Sequence, residues 1–255
     1  MPTSSLYVSA SLPDSRDPQR DHALDLIKWL ALLTMLIDHL RLVWPQLSDL
    51  FVIGRWAFPL FCLAIAANVF RAAGQPLWQI GNARYLGYLL LFALISEYPY
   101  HLLSTDSITF NIMPTLAIGL LLCWCVQYPS VSRLVIGAAL IGVSYQMTAQ
   151  LMYGWLGVLL PAACLLALRY GYWVWGLSAL IAALVNLPYE LSKGAAVQVS
   201  DVLILGSAAF APLFGLWLLQ QRAVMFNVAP VGRWGYWFYP VHLAGLALLR
   251  DLTIR

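Results

Sequence analysis

Apolar runs of bilayer length alternate with short polar breaks along the chain from residue 24 onward. A helix of roughly 20 residues crosses the hydrocarbon core of a membrane. On that measure the pattern predicts about nine transmembrane helices: 24–44, 50–71, 83–103, 111–127, 131–148, 151–168, 171–188, 199–220 and 233–250. The breaks carry ordinary turn chemistry, as in Gly74-Gln75-Pro76, Ser104-Thr105-Asp106, Tyr128-Pro129-Ser130 and Arg169-Tyr170-Gly171. The fifth to seventh runs are short and crowded, and a re-entrant segment there leaves eight or ten spans open. Residues 1–22 are polar and predict a tail lying in solvent or on the surface. The first apolar run is too long for the core of a signal peptide. Residues 23–255 then form a single transmembrane domain without internal repeat, an all-α polytopic bundle.

Composition agrees with the pattern. The 255 residues are 62% hydrophobic and only 10% charged, against about 25% charged in a soluble domain. The net charge of +3, with no basic run, argues against nucleic acid as a partner. Cys62, Cys123, Cys125 and Cys164 sit in apolar segments, and Cys123-Trp124-Cys125 has the wrong spacing for zinc or redox chemistry. They read as small core residues, and no metal site is expected. Lys and Arg are more frequent in the tail and the even-numbered gaps than on the other side. The N-terminus is therefore expected in the cytoplasm.

Against this background the charged residues inside the spans stand out. Asp38 and His39 lie within the first apolar run, where ionisable groups are costly unless paired or facing a wet cavity. Two readings follow, a proton-handling site in the membrane and a polar pair holding neighbouring helices together. The turn to the second helix is centred near Leu47, with His39 eight residues before it and Arg55 eight after. Arg55 is thus expected at the same depth, neutralising Asp38 or holding an anionic group beside His39. Asp38 points about 100° away from His39 on the helix, so its expected partners are Arg55 or Arg41. Lys28 precedes His39 by eleven residues, which puts both on one face about 16 Å apart. That stripe suits an elongated anionic donor, although Lys28 reads equally well as snorkelling to the interface.

Other polar positions carry paired readings. Glu97 and His101 share a helix face near Tyr98 and Tyr100, as an interfacial cap or as a second proton-handling pair. Asn111 opens the fourth span as a helix cap, Asn186 reads as interhelical glue, and Arg84 as a positive-inside anchor. His242 lies near mid-depth in the last span, three residues after Tyr239 and on the same face. It is a candidate to line the site.

The ordered strings LIKWLALLTMLIDHL, GRWAFPLF (54–61), NIMPT (111–115), YGWLG (153–157) and FYPVHLAGL (238–246) resemble the TraX family of membrane proteins. The likeness runs from about residue 24 to the end. The resemblance implies an integral membrane acetyltransferase of the bacterial inner membrane, using acetyl-CoA, with the N-terminal amine of a pilin as acceptor. The polar positions it matches are Asp38, His39, Arg55, Asn111, Asn186 and His242. Lys28 and His39 are also similar in spacing to a basic residue and histidine in membrane acyltransferases that modify sugars. On this reading His39 is the general base, with Asp38 and Arg55 in the catalytic group and Arg55 or Asn111 as oxyanion donor. Lys28, Arg84, Asn111, Asn186, Tyr239 and His242 would bind substrate or the acetyl-CoA co-substrate. The alternatives are a polysaccharide O-acyltransferase, a non-enzymatic pilus accessory protein that binds pilin, and a transporter with a proton relay.

Overall fold

Apolar side chains project from both faces of several helices, one set packed inward and the other turned out. Leu24, Ile27, Leu60 and Leu63 are fully buried, whereas Leu94 and Val131 are 79% and 80% exposed. Such outward surfaces are stable in lipid and unfavourable in water. The computed structural model describes residues 21–188, 191, 193–220 and 227–253. Among these the chain is all-helical: α1 (His22–Leu40), α2 (Leu50–Gly54), α3 (Ala57–Arg71), α4 (Ile80–Leu103), α5 (Ile112–Gln127), α6 (Val131–Gln146), α7 (Gly154–Tyr170), α8 (Trp175–Leu184), α9 (Val199–Gln220) and α10 (Trp234–Thr253). Short 3-10 turns occupy Pro45–Leu47 and Tyr172–Val174. With α2 and α3 taken together, the helices fall on the expected runs in order. Leu50–Arg71, Ile80–Leu103 and Val199–Gln220 are long and apolar enough to cross a membrane by length and composition. The others are shorter or more polar.

The expected tail ends slightly early. Asp21 caps α1, its carboxylate accepting from the Leu24 amide at 3.0 Å, and also meets Arg71 at 2.6 Å. The rest of the tail, residues 1–20, lies outside the described residues.

Two helices organise the core. α3 packs against α1, α5, α7 and α9, and α7 packs against α3, α5, α6 and α8. Close approach is made possible by small residues, as is general between membrane helices. A Cβ on Gly215 would come within 2.4 Å of Leu63, and one on Gly119 within 2.8 Å of the Pro161 ring. α10 lies against α4 and touches α1.

The second apolar run was expected as one helix and is instead interrupted at Arg55 and Trp56. Pro59 explains the interruption. It has no N–H to offer the carbonyl four residues earlier, that of Arg55, and its ring crowds that carbonyl. Ser207 on α9 braces the break, donating to the Val52 carbonyl at 2.6 Å and accepting from the Trp56 indole at 3.0 Å. The bend brings Gly54 against the end of α1, where a Cβ would sit 2.2 Å from Asp38 Oδ1. Gly54→Ala is therefore expected to push the Asp38 carboxylate aside, at a cost of about 1–3 kcal/mol for overpacking. A lower thermal midpoint in detergent, with reduced folded yield, is the readout. An unchanged midpoint would show that the carboxylate has room to move.

Candidate active site

On α1, Lys28, Leu32, Met35 and His39 recur at i, i+4, i+7 and i+11, one stripe of a helix. Two cavities lie along that stripe. The first, about 520 Å³, is lined by Lys28 and Leu32 of α1 together with Arg84, Arg233 and the tyrosines Tyr85, Tyr88 and Tyr236. The starts of α1, α4 and α10 supply its cations. The second, about 330 Å³, is lined by Asp38, His39, Arg41, Arg55, Tyr100 and Tyr153. It sits at the opposite ends of α1 and α4. Met35, Phe61, Ile112 and Tyr239 line both cavities and form the wall between them.

Arg55 anchors the second cavity because the break in the second run places it there. Its Nη2 donates to Asp38 Oδ1 at 3.0 Å, and its Nη1 to Asn186 Oδ1 at 3.1 Å and to the Tyr153 hydroxyl at 3.4 Å. Its Nε donates to the Phe51 carbonyl at 3.2 Å, and its guanidinium carbon lies 3.8 Å from the centroid of the Phe51 ring. Arg41 Nε also reaches Asp38 Oδ1, at 3.3 Å. Of the two partners expected for Asp38, the structure brings both. A guanidinium has five N–H donors, and these contacts occupy four, leaving one Nη2 hydrogen without a protein acceptor among the described residues.

Tyr153, in the string YGWLG, joins the site although its place in the sequence alone assigns it no role. It has a left-handed backbone (φ 65°) immediately before Gly154 (φ 59°), a conformation that costs a non-glycine residue about 1–2 kcal/mol. The ring is held by stacking on Phe58, with centroids 4.2 Å apart and planes 9° apart. The signal was present in the pair Tyr153-Gly154 at the start of a span, since a glycine there marks special backbone geometry. Arg233, the third cation of the first cavity, is one of the gap arginines whose excess points to the cytoplasmic side.

His39 and His242 meet across α1 and α10, Nδ1 of the first lying 2.9 Å from Nε2 of the second. His242 Nδ1 in turn is 2.8 Å from the Phe238 carbonyl. His39 lines the second cavity, whereas His242 lines neither and sits behind it. His242 is thus placed one contact away from the second cavity, through His39.

Asn111 is also set apart from substrate. Its amide hydrogens are spent on the Ala93 carbonyl, at 2.7 Å, and on Glu97 Oε2, while its oxygen caps α5 at the Met113 amide, 3.0 Å away. No amide hydrogen remains for an oxyanion, so that expectation passes to Arg55. Glu97 bridges Asn111 to His101, its Oε1 lying 3.0 Å from the imidazole. Asn186 lines neither cavity and acts on Arg55, with its own amide donating to the Ala182 carbonyl at 2.8 Å. Lys28, Arg84 and Tyr239 line the first cavity, Lys28 also pairing with Asp25 at 3.4 Å. No group of three or more metal-binding side chains occurs among the described residues.

A family model described as TraX protein matches residues 23–250, nearly the whole of the described bundle. The chain belongs to the TraX family. Neither the curated proteins nor the solved structures contain a match. The TraX match covers every residue of both cavities, from Lys28 to Leu243. It stops short of the chain's C-terminal residues and leaves out the polar tail.

Proposed function

We propose that this TraX-family protein is a membrane-embedded acetyltransferase of the bacterial inner membrane. It moves an acetyl group from acetyl-CoA to an acceptor at the membrane, the N-terminal amine of a pilin being the acceptor the family suggests. The observation that carries this reading is the pair of cavities sharing one wall. One has three cations at its mouth and the other has an imidazole beside a guanidinium. Coenzyme A is an elongated molecule with phosphates at one end and the thioester at the other. Lys28, Arg84 and Arg233 suit the phosphates, and the stripe from Lys28 to His39 spans about 16 Å. With the N-terminus in the cytoplasm, the cationic mouth faces the compartment where acetyl-CoA is made.

The chemistry follows from the residues of the second cavity. His39 takes the proton of the attacking amine or hydroxyl as that atom bonds to the acetyl carbon. The remaining Nη2 hydrogen of Arg55 suits the oxyanion that forms. As the carbon–sulfur bond breaks, the proton held by His39 passes to the departing thiolate, giving free coenzyme A. No charge need leave the site.

Purified protein in lipid, incubated with radiolabelled acetyl-CoA and a pilin acceptor, tests the reading. Label on the acceptor together with release of the free thiol is expected. No turnover with pilin or glycan acceptors would favour an accessory protein that only binds pilin. The first cavity makes a separate prediction. Arg84→Met and Arg233→Met should each raise KM for acetyl-CoA by about 10–100-fold, the worth of one hydrogen bond to a charged group. kcat should hardly move, because the contact is the same in ground and transition states. An unchanged KM in steady-state assays would remove these cations from donor binding.

A further inference from the structure

We infer that His242 is a positioning residue that fixes the tautomer of His39, leaving His39 Nε2 as the bare nitrogen that meets the acceptor. The inference rests on the acetyl-transfer reading for its catalytic meaning, and on hydrogen-bond bookkeeping for its chemistry. A carbonyl oxygen only accepts, so the 2.8 Å contact with Phe238 places a proton on His242 Nδ1. A neutral imidazole carries one proton, so His242 Nε2 is then a lone pair. The 2.9 Å contact between the rings must therefore be His39 Nδ1–H donating to His242 Nε2. His39 has then spent its single proton, and its Nε2 is free to accept another.

The opposite arrangement requires His242 to carry two protons and a positive charge. His242 is only 8% exposed, and a buried cation needs an anion beside it. The nearest carboxylate on the facing helix, Asp38, is already engaged by Arg55 and Arg41. The surroundings of His242 are instead aromatic, with the Phe238 ring stacked at 5.0 Å and 17° and the Tyr239 ring at 5.7 Å. These contacts hold the imidazole plane without supplying charge.

Position separates the two histidines in role. His39 lines the second cavity and His242 does not. When His39 Nε2 receives the acceptor's proton, the new positive charge is shared through the Nδ1–H bond to His242 Nε2. The same proton then leaves from Nε2 to the thiolate. This is the function a buried carboxylate performs in a Ser-His-Asp triad, here given by a neutral ring. A neutral partner adds no second charge to the membrane interior.

The test combines a spectrum with kinetics. Protein labelled with ¹⁵N-histidine, in lipid nanodiscs, reports which ring nitrogens carry protons. The His39 signals are assigned by their loss in His39→Gln. The expected pattern is a protonated Nδ1 and a bare Nε2 on His39. His242→Leu, which cannot accept, should give a mixture of tautomers and lower kcat by about 10²–10⁴, with KM for acetyl-CoA unchanged. His242→Gln can donate to Phe238 through its amide and accept through its oxygen, and should recover the single tautomer and most of the rate. A proton found on His39 Nε2 in the wild type, or a His242→Leu variant with wild-type tautomer and kcat, would overturn the inference. Absence of turnover in the wild type defeats the acetyl-transfer reading, while the spectra still decide the tautomer in the same sample.

Discussion

His39→Gln and His39→Ala are expected to fold, reach the membrane and lose acetyl transfer by about 10²–10⁴, the usual contribution of a positioned base. Gln is the more informative of the two. Its amide can keep a donor toward His242 Nε2, so the acceptor behind it stays satisfied and the cavity keeps its volume. It has no basic lone pair, so only the proton-handling step is removed. Ala adds an unpaired acceptor at His242, worth about 1–3 kcal/mol of stability if water does not replace the lost donor. Matched thermal midpoints for His39→Gln and wild type, with turnover measured on equal amounts of folded protein, isolate the chemical effect. Turnover equal to wild type would remove His39 from the mechanism. It would not by itself transfer the role to His242, which lines neither cavity.

The helix positions were largely legible because in a membrane chain the hydrophobic run itself is the constraint. The expected 199–220 matches α9 as found, and 131–148 differs from α6 by two residues at one end. What hydropathy does not register is a break inside an apolar run. Leu50 to Phe70 is apolar apart from Arg55 and Asn68, yet the ladder stops at Arg55. Pro59 was the available sign, four residues beyond the carbonyl it leaves unpaired.

The site was legible where a short connection fixes depth. The tight turn at Pro45–Leu47 brings Arg55 to Asp38, as counting residues from Leu47 predicts. The meeting of His39 with His242 has no such local signal, since the two are 203 residues apart and depend on which helices become neighbours. Asn111 shows the limit from the other side. Its capping role was readable from its place at the start of α5, but its second bond, to Glu97, depends on how α4 packs against α5.

The ion pair at the break carries the largest expected effect on folding, and the effect should be unequal between its partners. Asp38 and Arg55 side chains are 13% and 9% exposed, and removing one member of a buried pair costs about 3–5 kcal/mol. Arg55→Leu leaves Asp38 with Arg41, 3.3 Å away and partly solvated. Asp38→Leu leaves Arg55 with neutral acceptors alone, on Asn186, Tyr153 and Phe51. Asp38→Leu should therefore be the more damaging single change. In the double variant no uncompensated charge remains, so its loss should be smaller than the sum of the two. Arg55→Lys should not rescue, because an ammonium cannot serve Asp38, Asn186 and the Phe51 carbonyl in the directions that the guanidinium fork reaches. A double-mutant cycle on thermal or denaturant unfolding in detergent measures the coupling directly. Strict additivity would mean that the two charges are stabilised independently and that the bend at Arg55 owes nothing to Asp38.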